Sequence, residues 1–159
     1  MKKAYITGAT GAIGMALVGE LLKNGISTTV FLRKDSGRND RVKDSFSREL
    51  ARGLLRIEYV SLEELSGYAL SRNTQDMQTY ASQDLLTKAA GGADTAVFYH
   101  LGWSGTFGTQ RNDADMQQKN VEYTLDAVRL AKRLGCVHFI GVGSQAEYGR
   151  FEGRLTPDT

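Results

Sequence analysis

An α/β fold built on a doubly wound parallel sheet is what this sequence predicts, on three observations. Short runs rich in β-branched and aromatic residues alternate with amphipathic or polar helical stretches, and three evenly spaced glycines join the first run to the first helix. The length of 159 residues suits one domain of ordinary size and not two. Strands alternating with helices assemble as a parallel sheet through right-handed crossovers.

The elements follow in order. Lys3 to Thr7 reads as a short buried strand, and Ile13, Leu17 and Leu21, with Ala16 and Leu22, put an apolar stripe on the helix after it. Asn24-Gly25 supplies the helix stop. Ser27 to Leu32 is a second strand, Arg41 to Ala51 a polar helix, and Leu55 to Tyr59 a third strand. Ser61 to Thr79 shows no clean period and reads as an irregular connection. Met77 to Ala90 suits a further helix, Thr95 to His100 a fourth strand, Asp113 to Leu134 a long helix, and His138 to Val142 a fifth strand. Asn112 or Asp113 serves as N-cap of the long helix, whose packed side is expected to carry Met116, Val121, Leu125, Val128 and Leu130.

Composition excludes several classes. With 20 Lys and Arg against 18 Asp and Glu, charge is nearly balanced, so neither nucleic acid nor a membrane surface is expected as a partner. One cysteine, Cys136, leaves no internal disulfide framework and reads as a small packing residue. No apolar run reaches the length of a membrane span and no signal peptide opens the chain, so a cytoplasmic protein is expected. Eighteen glycines with a single proline, Pro157, and no repeat period speak against a disordered chain.

Thr7-Gly8-Ala9-Thr10-Gly11-Ala12-Ile13-Gly14 is the most specific segment, because it lies between a strand and a helix. Gly8 permits a sharp turn, Gly11 lets backbone approach a pyrophosphate, and Gly14 lets helix and sheet pack closely. The helix start adds N–H donors and a partial positive charge that favour an anion. Thr10, Ala12 and Ile13 complete this expected dinucleotide cradle.

In such a sheet ligands sit beyond the carboxyl ends of the strands. The second strand ends in Arg33, followed by Lys34-Asp35-Ser36-Gly37-Arg38. A cofactor with a free ribose 2′-OH is usually met there by an acidic residue, whereas a guanidinium forms a charge-assisted fork with a 2′-phosphate. NADP is therefore favoured over NAD, with a solvated basic loop, or Asp35 toward a ribose, as the competing readings. Ser61 and Leu62 follow the third strand and either line an adenine or form an ordinary loop. After the fourth strand, the backbone of the glycine-rich turn His100-Leu101-Gly102-Trp103-Ser104-Gly105-Thr106 is expected near a nicotinamide ribose, with Leu101 and Gly102 on the cofactor. Trp103 and Ser104 face a substrate pocket, or Trp103 anchors its own loop. His100 reads as a packed strand-end residue; His138 is the only other histidine, and no Cys or carboxylate spacing completes a metal site. Asn120, a polar break in the long helix, holds either a neighbouring loop or a ligand.

The fifth strand runs into Gly141-Val142-Gly143-Ser144-Gln145-Ala146-Glu147-Tyr148-Gly149. With Thr7 to Gly14, His100 to Gly102 and Asn120 to Thr124, this segment makes the chain resemble the N-terminal part of an extended short-chain dehydrogenase/reductase, of the NAD-dependent epimerase/dehydratase family acting on nucleotide sugars. Gly102-Trp103 departs from that family's paired alanines, and Gly141-Val142-Gly143 replaces its usual serines. The resemblance implies a Rossmann-like domain over residues 1–159, Ser144 as the catalytic serine orienting a reacting sugar oxygen, and Asn120 and Val142 on the nicotinamide side. Gln145 and Glu147 fall on the substrate side or support the loop.

The family's acid/base is a tyrosine followed four residues later by lysine. A phenol titrates near pH 10, so a neighbouring ammonium must favour its ionised form. None of the seven tyrosines here has lysine at that position, and Tyr148 has Glu152. A Rossmann domain truncated after about five strands, without its C-terminal substrate lobe, is expected to bind cofactor and to be inactive alone. Its fifth strand is expected to leave an edge open to self-association, as in a homodimer. Two other readings share the fold: a non-catalytic NADP-binding redox sensor, and a flavin- or mononucleotide-binding domain.

Overall fold

A computed structural model describes residues 1–71, 95–144, 152–154 and 156. It contains one parallel sheet in the order β3-β2-β1-β4-β5, formed by β1 (Lys3–Thr7), β2 (Ser27–Leu32), β3 (Leu55–Tyr59), β4 (Ala96–His100) and β5 (Cys136–Gly141). Helix α1 (Ala12–Lys23) connects β1 to β2, and α2 (Asn39–Ser45) and α3 (Ser47–Ala51) lie between β2 and β3. Helix α4 (Leu65–Ser71) follows β3, and α5 (Ala114–Arg133) connects β4 to β5. Successive strands are laid outward from β1 as far as β3, and then β4 returns to the other side of β1. That reversal leaves a crevice between the carboxyl ends of β1 and β4, where ligands of open α/β sheets bind.

Both faces of the sheet are covered, as a parallel sheet requires. Alternation along the strands sends Ala4, Ile6, Val30 and Leu32 toward Val18, Leu21 and Leu22 of α1 and Val42 of α2. Phe31 and Phe98 point the other way, toward Leu65 of α4 and Ala127, Leu130 and Ala131 of α5. On that second face Tyr5, Phe31, Phe98 and Phe139 stack side by side, with neighbouring ring centroids 5.6 to 6.5 Å apart. Such pairs add about 0.5–1.5 kcal/mol each beyond the area they bury.

The strands fall where the pattern places them, except that β4 starts at Ala96 rather than Thr95 and β5 spans Cys136–Gly141 rather than 138–142. Four other expectations are corrected. The stripe on α1 is rotated: Gly14, Val18, Leu21 and Leu22 are buried, whereas Ile13 and Ala16 are exposed. Val18 and glycine at position 14 let the helix lie flat on the sheet, which a stripe chosen by apolar bulk misses. The polar helix expected over 41–51 is two short helices that meet at Phe46, whose φ of −126° is not helical. The stretch from Ser61 is not irregular at its start. Ser61 and Glu64 form a capping box, the Ser61 N–H donating to Glu64 Oε2 at 2.8 Å, and this starts a 3-10 turn that continues into α4. The helix expected over 77–90 lies outside the described residues.

The fourth correction concerns α5. Its buried residues are Asn120, Ala127, Leu130 and Ala131, and Val121, Leu125 and Val128 are exposed. Small side chains bring the helix close to the sheet, so the larger aliphatics at i, i+4 and i+7 form a second stripe turned toward solvent. On edge strand β5, Val137 and Ile140 are exposed too. Cys136 packs at the start of that strand, and burial pushes its thiol up to about 12, which keeps it protonated and unreactive at neutral pH.

Candidate functional site

Each glycine of the first turn can be assigned a cause. Gly8 has φ +74°, a region that L side chains rarely adopt, and a Cβ there would lie 2.6 Å from the Leu101 carbonyl carbon. A Cβ on Gly14 would collide with the Gly8 carbonyl oxygen and lie 2.7 Å from Ala9 Cα. Both positions are therefore glycine for reasons internal to the fold. Gly11 differs. Its φ of −76° is ordinary, and a Cβ would meet only the Gly8 carbonyl oxygen, at 3.5 Å. Among the described residues no contact would crowd a side chain there, and the small residue keeps the backbone open on the side facing the cleft.

Gly11 also starts α1 without a side-chain cap, and the first turn carries no acidic residue. The protein leaves the donor end of a 12-residue helix uncompensated at a glycine that lines the cleft. An anion complements that arrangement.

The cleft has a volume of about 870 Å³, within the range of small-molecule and cofactor sites. The glycine turn from Gly8 to Gly11 forms one wall. Phe31 to Arg33 and Asp35 to Arg38 form the second, Val60 to Glu63 the third, and Leu101 to Phe107 with Gln110 and Met116 the fourth. Of the residues expected at the site, Gly8, Thr10, Gly11, Arg33, Ser61, Leu62, Leu101, Gly102, Trp103 and Ser104 are brought together. Ala12, Ile13 and Gly14 continue from the glycine turn into the first turn of α1, with Ala12 and Ile13 exposed and Gly14 buried, and Lys34 is exposed beside the cleft. Gln145 and Glu147 lie outside the described residues. Val142 is tied to the end of β4 by its N–H to the His100 carbonyl (3.1 Å), and Ser144 follows on an exposed segment.

Behind the fourth wall, a buried network joins β1, β4 and α5. The Thr124 hydroxyl donates its one proton to the Asn120 carbonyl (2.9 Å), so at 3.2 Å it accepts from His100 Nε2. Nδ1 of the same ring is then an acceptor, and the Thr7 hydroxyl donates to it at 2.8 Å. Thr7 Oγ1 in turn accepts the Gly102 N–H at 3.2 Å. Counting donors in this way assigns His100 as the neutral Nε2–H tautomer, and burial holds its pKa down at about 4.

Asn120, 1 % exposed, holds the neighbouring loop. Its Oδ1 accepts the Ser104 N–H and its Nδ2 donates to the Ser104 carbonyl, both at 2.8 Å. The amide clamps the loop that forms the fourth wall. Trp103 is neither buried nor loose: it is 46 % exposed, with its indole N–H donating to Gln117 Oε1 at 2.8 Å. Sequence reasoning missed Phe107, Gln110 and Met116 as lining residues. Gly105 was the available signal, because its φ of +68° folds the loop back onto Met116 and Gln110.

The fold has known counterparts. A UDP-glucose 4-epimerase structure matches with a TM-score of 0.63 and 16 % identity, over 97 % of this chain and 39 % of that one. The Bordetella bronchiseptica enzyme WbmG, in complex with NAD, matches at 0.62 and 16 %, over 93 % and 39 %. The yeast methylglyoxal/isovaleraldehyde reductase Gre2, complexed with NADPH, matches at 0.57 and 12 %, over 91 % and 37 %. The chain thus spans about two-fifths of the length of these proteins. No curated protein sequence matches it. The model of the NAD dependent epimerase/dehydratase family matches residues 4–159, nearly the whole chain, and together with the glycine turn and the crevice at the β1/β4 reversal this makes the chain a member of that family.

Proposed function

We propose that the protein is an NAD(P)-dependent nucleotide-sugar epimerase/dehydratase or reductase, and that residues 1–159 hold its cofactor, NADP in preference to NAD. The observation that carries the cofactor reading is Gly11, a glycine where a side chain would meet no crowding from the described residues, at the uncapped start of α1. The turn from Thr10 to Ile13 receives the diphosphate. Arg33 and Arg38, both exposed at the cleft and with Lys34 beside them, receive a 2′-phosphate. Ser61 and Leu62 flank the adenine, and Leu101, Gly102 and Val142 lie on the nicotinamide side.

When bound, the nicotinamide supplies two-electron hydride exchange at a sugar carbon. The chain's own residues position and exclude. Asn120 fixes the Ser104 loop against which substrate packs, with Trp103 on its lip, and Ser144 orients the reacting oxygen by a hydrogen bond, with Gln145 and Glu147 after it on the substrate side. No tyrosine in these residues has the lysine partner that would make it a base, so residues 1–159 alone bind cofactor without turnover. Measurable cofactor oxidation by them with a nucleotide sugar would overturn that part of the reading.

A titration of NADPH against NADH tests the cofactor preference. Arg33→Ala is expected to weaken NADPH by roughly 10- to 100-fold, the value of one or two charge-assisted hydrogen bonds, and to leave NADH within about twofold. Equal loss for both cofactors would place Arg33 away from the 2′ position. A homodimer is also proposed, burying the Val121, Leu125 and Val128 stripe of α5. A mass of one chain by light scattering at high micromolar concentration would contradict it.

A further inference from the structure

Asn39 is 5 % exposed at the first position of α2, yet it does not act within the helix. Its Nδ2 donates to two successive carbonyls of the preceding loop, Arg33 O at 2.8 Å and Lys34 O at 3.1 Å. Its backbone N–H donates to the Ser36 carbonyl at 3.1 Å, and the Ser36 N–H donates back to Arg33 O at 3.3 Å. One buried amide thus gathers the loop from 33 to 36 into a closed turn, at the end of which the Arg38 N–H rests on Ser36 Oγ at 3.3 Å.

The other end of that amide makes no such contribution. Asn39 Oδ1 is the one buried side-chain oxygen or nitrogen among the described residues without a protein partner. A buried acceptor left unmade costs stability, about 1–3 kcal/mol, which an apolar side chain of the same shape avoids. The same amide is used twice at its donor end, and both of those bonds end on carbonyls of the loop residues Arg33 and Lys34. The exchanged orientation is excluded, because it would set Oδ1 against two carbonyl oxygens.

We propose that Asn39 is a specificity-positioning residue: by closing the 33–36 turn it fixes where the Arg33 guanidinium stands at the cleft, and so sets the preference for a 2′-phosphate over a 2′-hydroxyl. The inference rests on the NADP reading above. Exposed arginine side chains lose much rotamer freedom on forming a fork with an anion, and a backbone already held reduces what must be ordered on binding. The glycine turn lies in a different wall, so its grip on the diphosphate shared by both cofactors does not depend on Asn39.

The test is the ratio of NADPH to NADH dissociation constants in wild type, Arg33→Ala, Asn39→Leu and Asn39→Asp, each checked for an unchanged circular dichroism spectrum. Asn39→Leu removes the donor together with the unpaired acceptor, and Asn39→Asp turns the donor into an acceptor facing the same two carbonyls. Both are expected to lower the NADPH:NADH preference about tenfold, through weaker NADPH binding with NADH within about twofold, a ratio that general loosening of the fold would not move. A wild-type preference that persists unchanged in folded Asn39→Leu and Asn39→Asp overturns this inference and leaves the NADP reading standing. A wild type that binds the two cofactors equally overturns the NADP reading, and this inference with it.

Discussion

Gly14→Ala is expected to destabilise the protein by about 3 kcal/mol, the upper end of overpacking costs, because the added methyl meets backbone and not a movable side chain. The Gly8 carbonyl oxygen and the Ala9 backbone lie in its way, and neither can move without opening the turn between β1 and α1. At roughly 2–4 °C per kcal/mol for a chain of this size, the thermal midpoint should fall by about 10 °C. Thermal unfolding followed by circular dichroism measures it. A midpoint within about 2 °C of wild type would show that α1 sits farther from the sheet than described.

Acid should destabilise the fold through His100. The unfolded ring titrates near 6.5, whereas burial holds the folded ring at about 4. A group with a depressed folded pKa contributes its full stability above about pH 6.5, where neither state is protonated. As pH falls from there toward 4, the unfolded chain takes up a proton that the buried native ring resists. Stability is lost across that window, on the order of 3 kcal/mol in all. The ring's partners, two hydroxyls and the face of Phe139, do not themselves titrate there. His100→Leu should remove this component of the slope between pH 4 and 6.5, while lowering stability at pH 8 by about 1–3 kcal/mol because the buried Thr7 hydroxyl loses its acceptor. Denaturant unfolding at a series of pH values separates the two effects. An acid slope identical in wild type and His100→Leu would contradict the lowered pKa of the folded ring.

What was legible in the sequence follows from the range of the interactions that produce it. β1, β2 and β3 have the bounds that their apolar runs suggest, and the glycine turn could be recognised because a strand, a turn and a helix start lie within a dozen residues. Ser61-x-x-Glu64 was equally local and was overlooked only because the residues after it lack a helical period. The face of α5 was misread for a different reason. Counting large aliphatics selects Val121, Leu125 and Val128, but contact distance to the sheet selects Ala127 and Ala131, and distance is a tertiary quantity. Asn39 left no trace in the pattern, since its partners are backbone carbonyls whose position depends on the loop it closes. Asn120 showed as an anomaly, a polar residue in an apolar helix, yet nothing local pointed to Ser104 as the backbone it holds.

The account depends most on Gly11 being glycine for a ligand and not for the fold. Titration of NADPH, followed by its fluorescence, into wild type and Gly11→Ala measures this directly when paired with their unfolding midpoints. The predicted result is at least tenfold weaker binding in Gly11→Ala with stability changed by no more than about 1 kcal/mol, the usual range for a substitution at an N-cap. Unchanged NADPH affinity in folded Gly11→Ala, or a wild type that binds neither NADPH nor NADH, would contradict it.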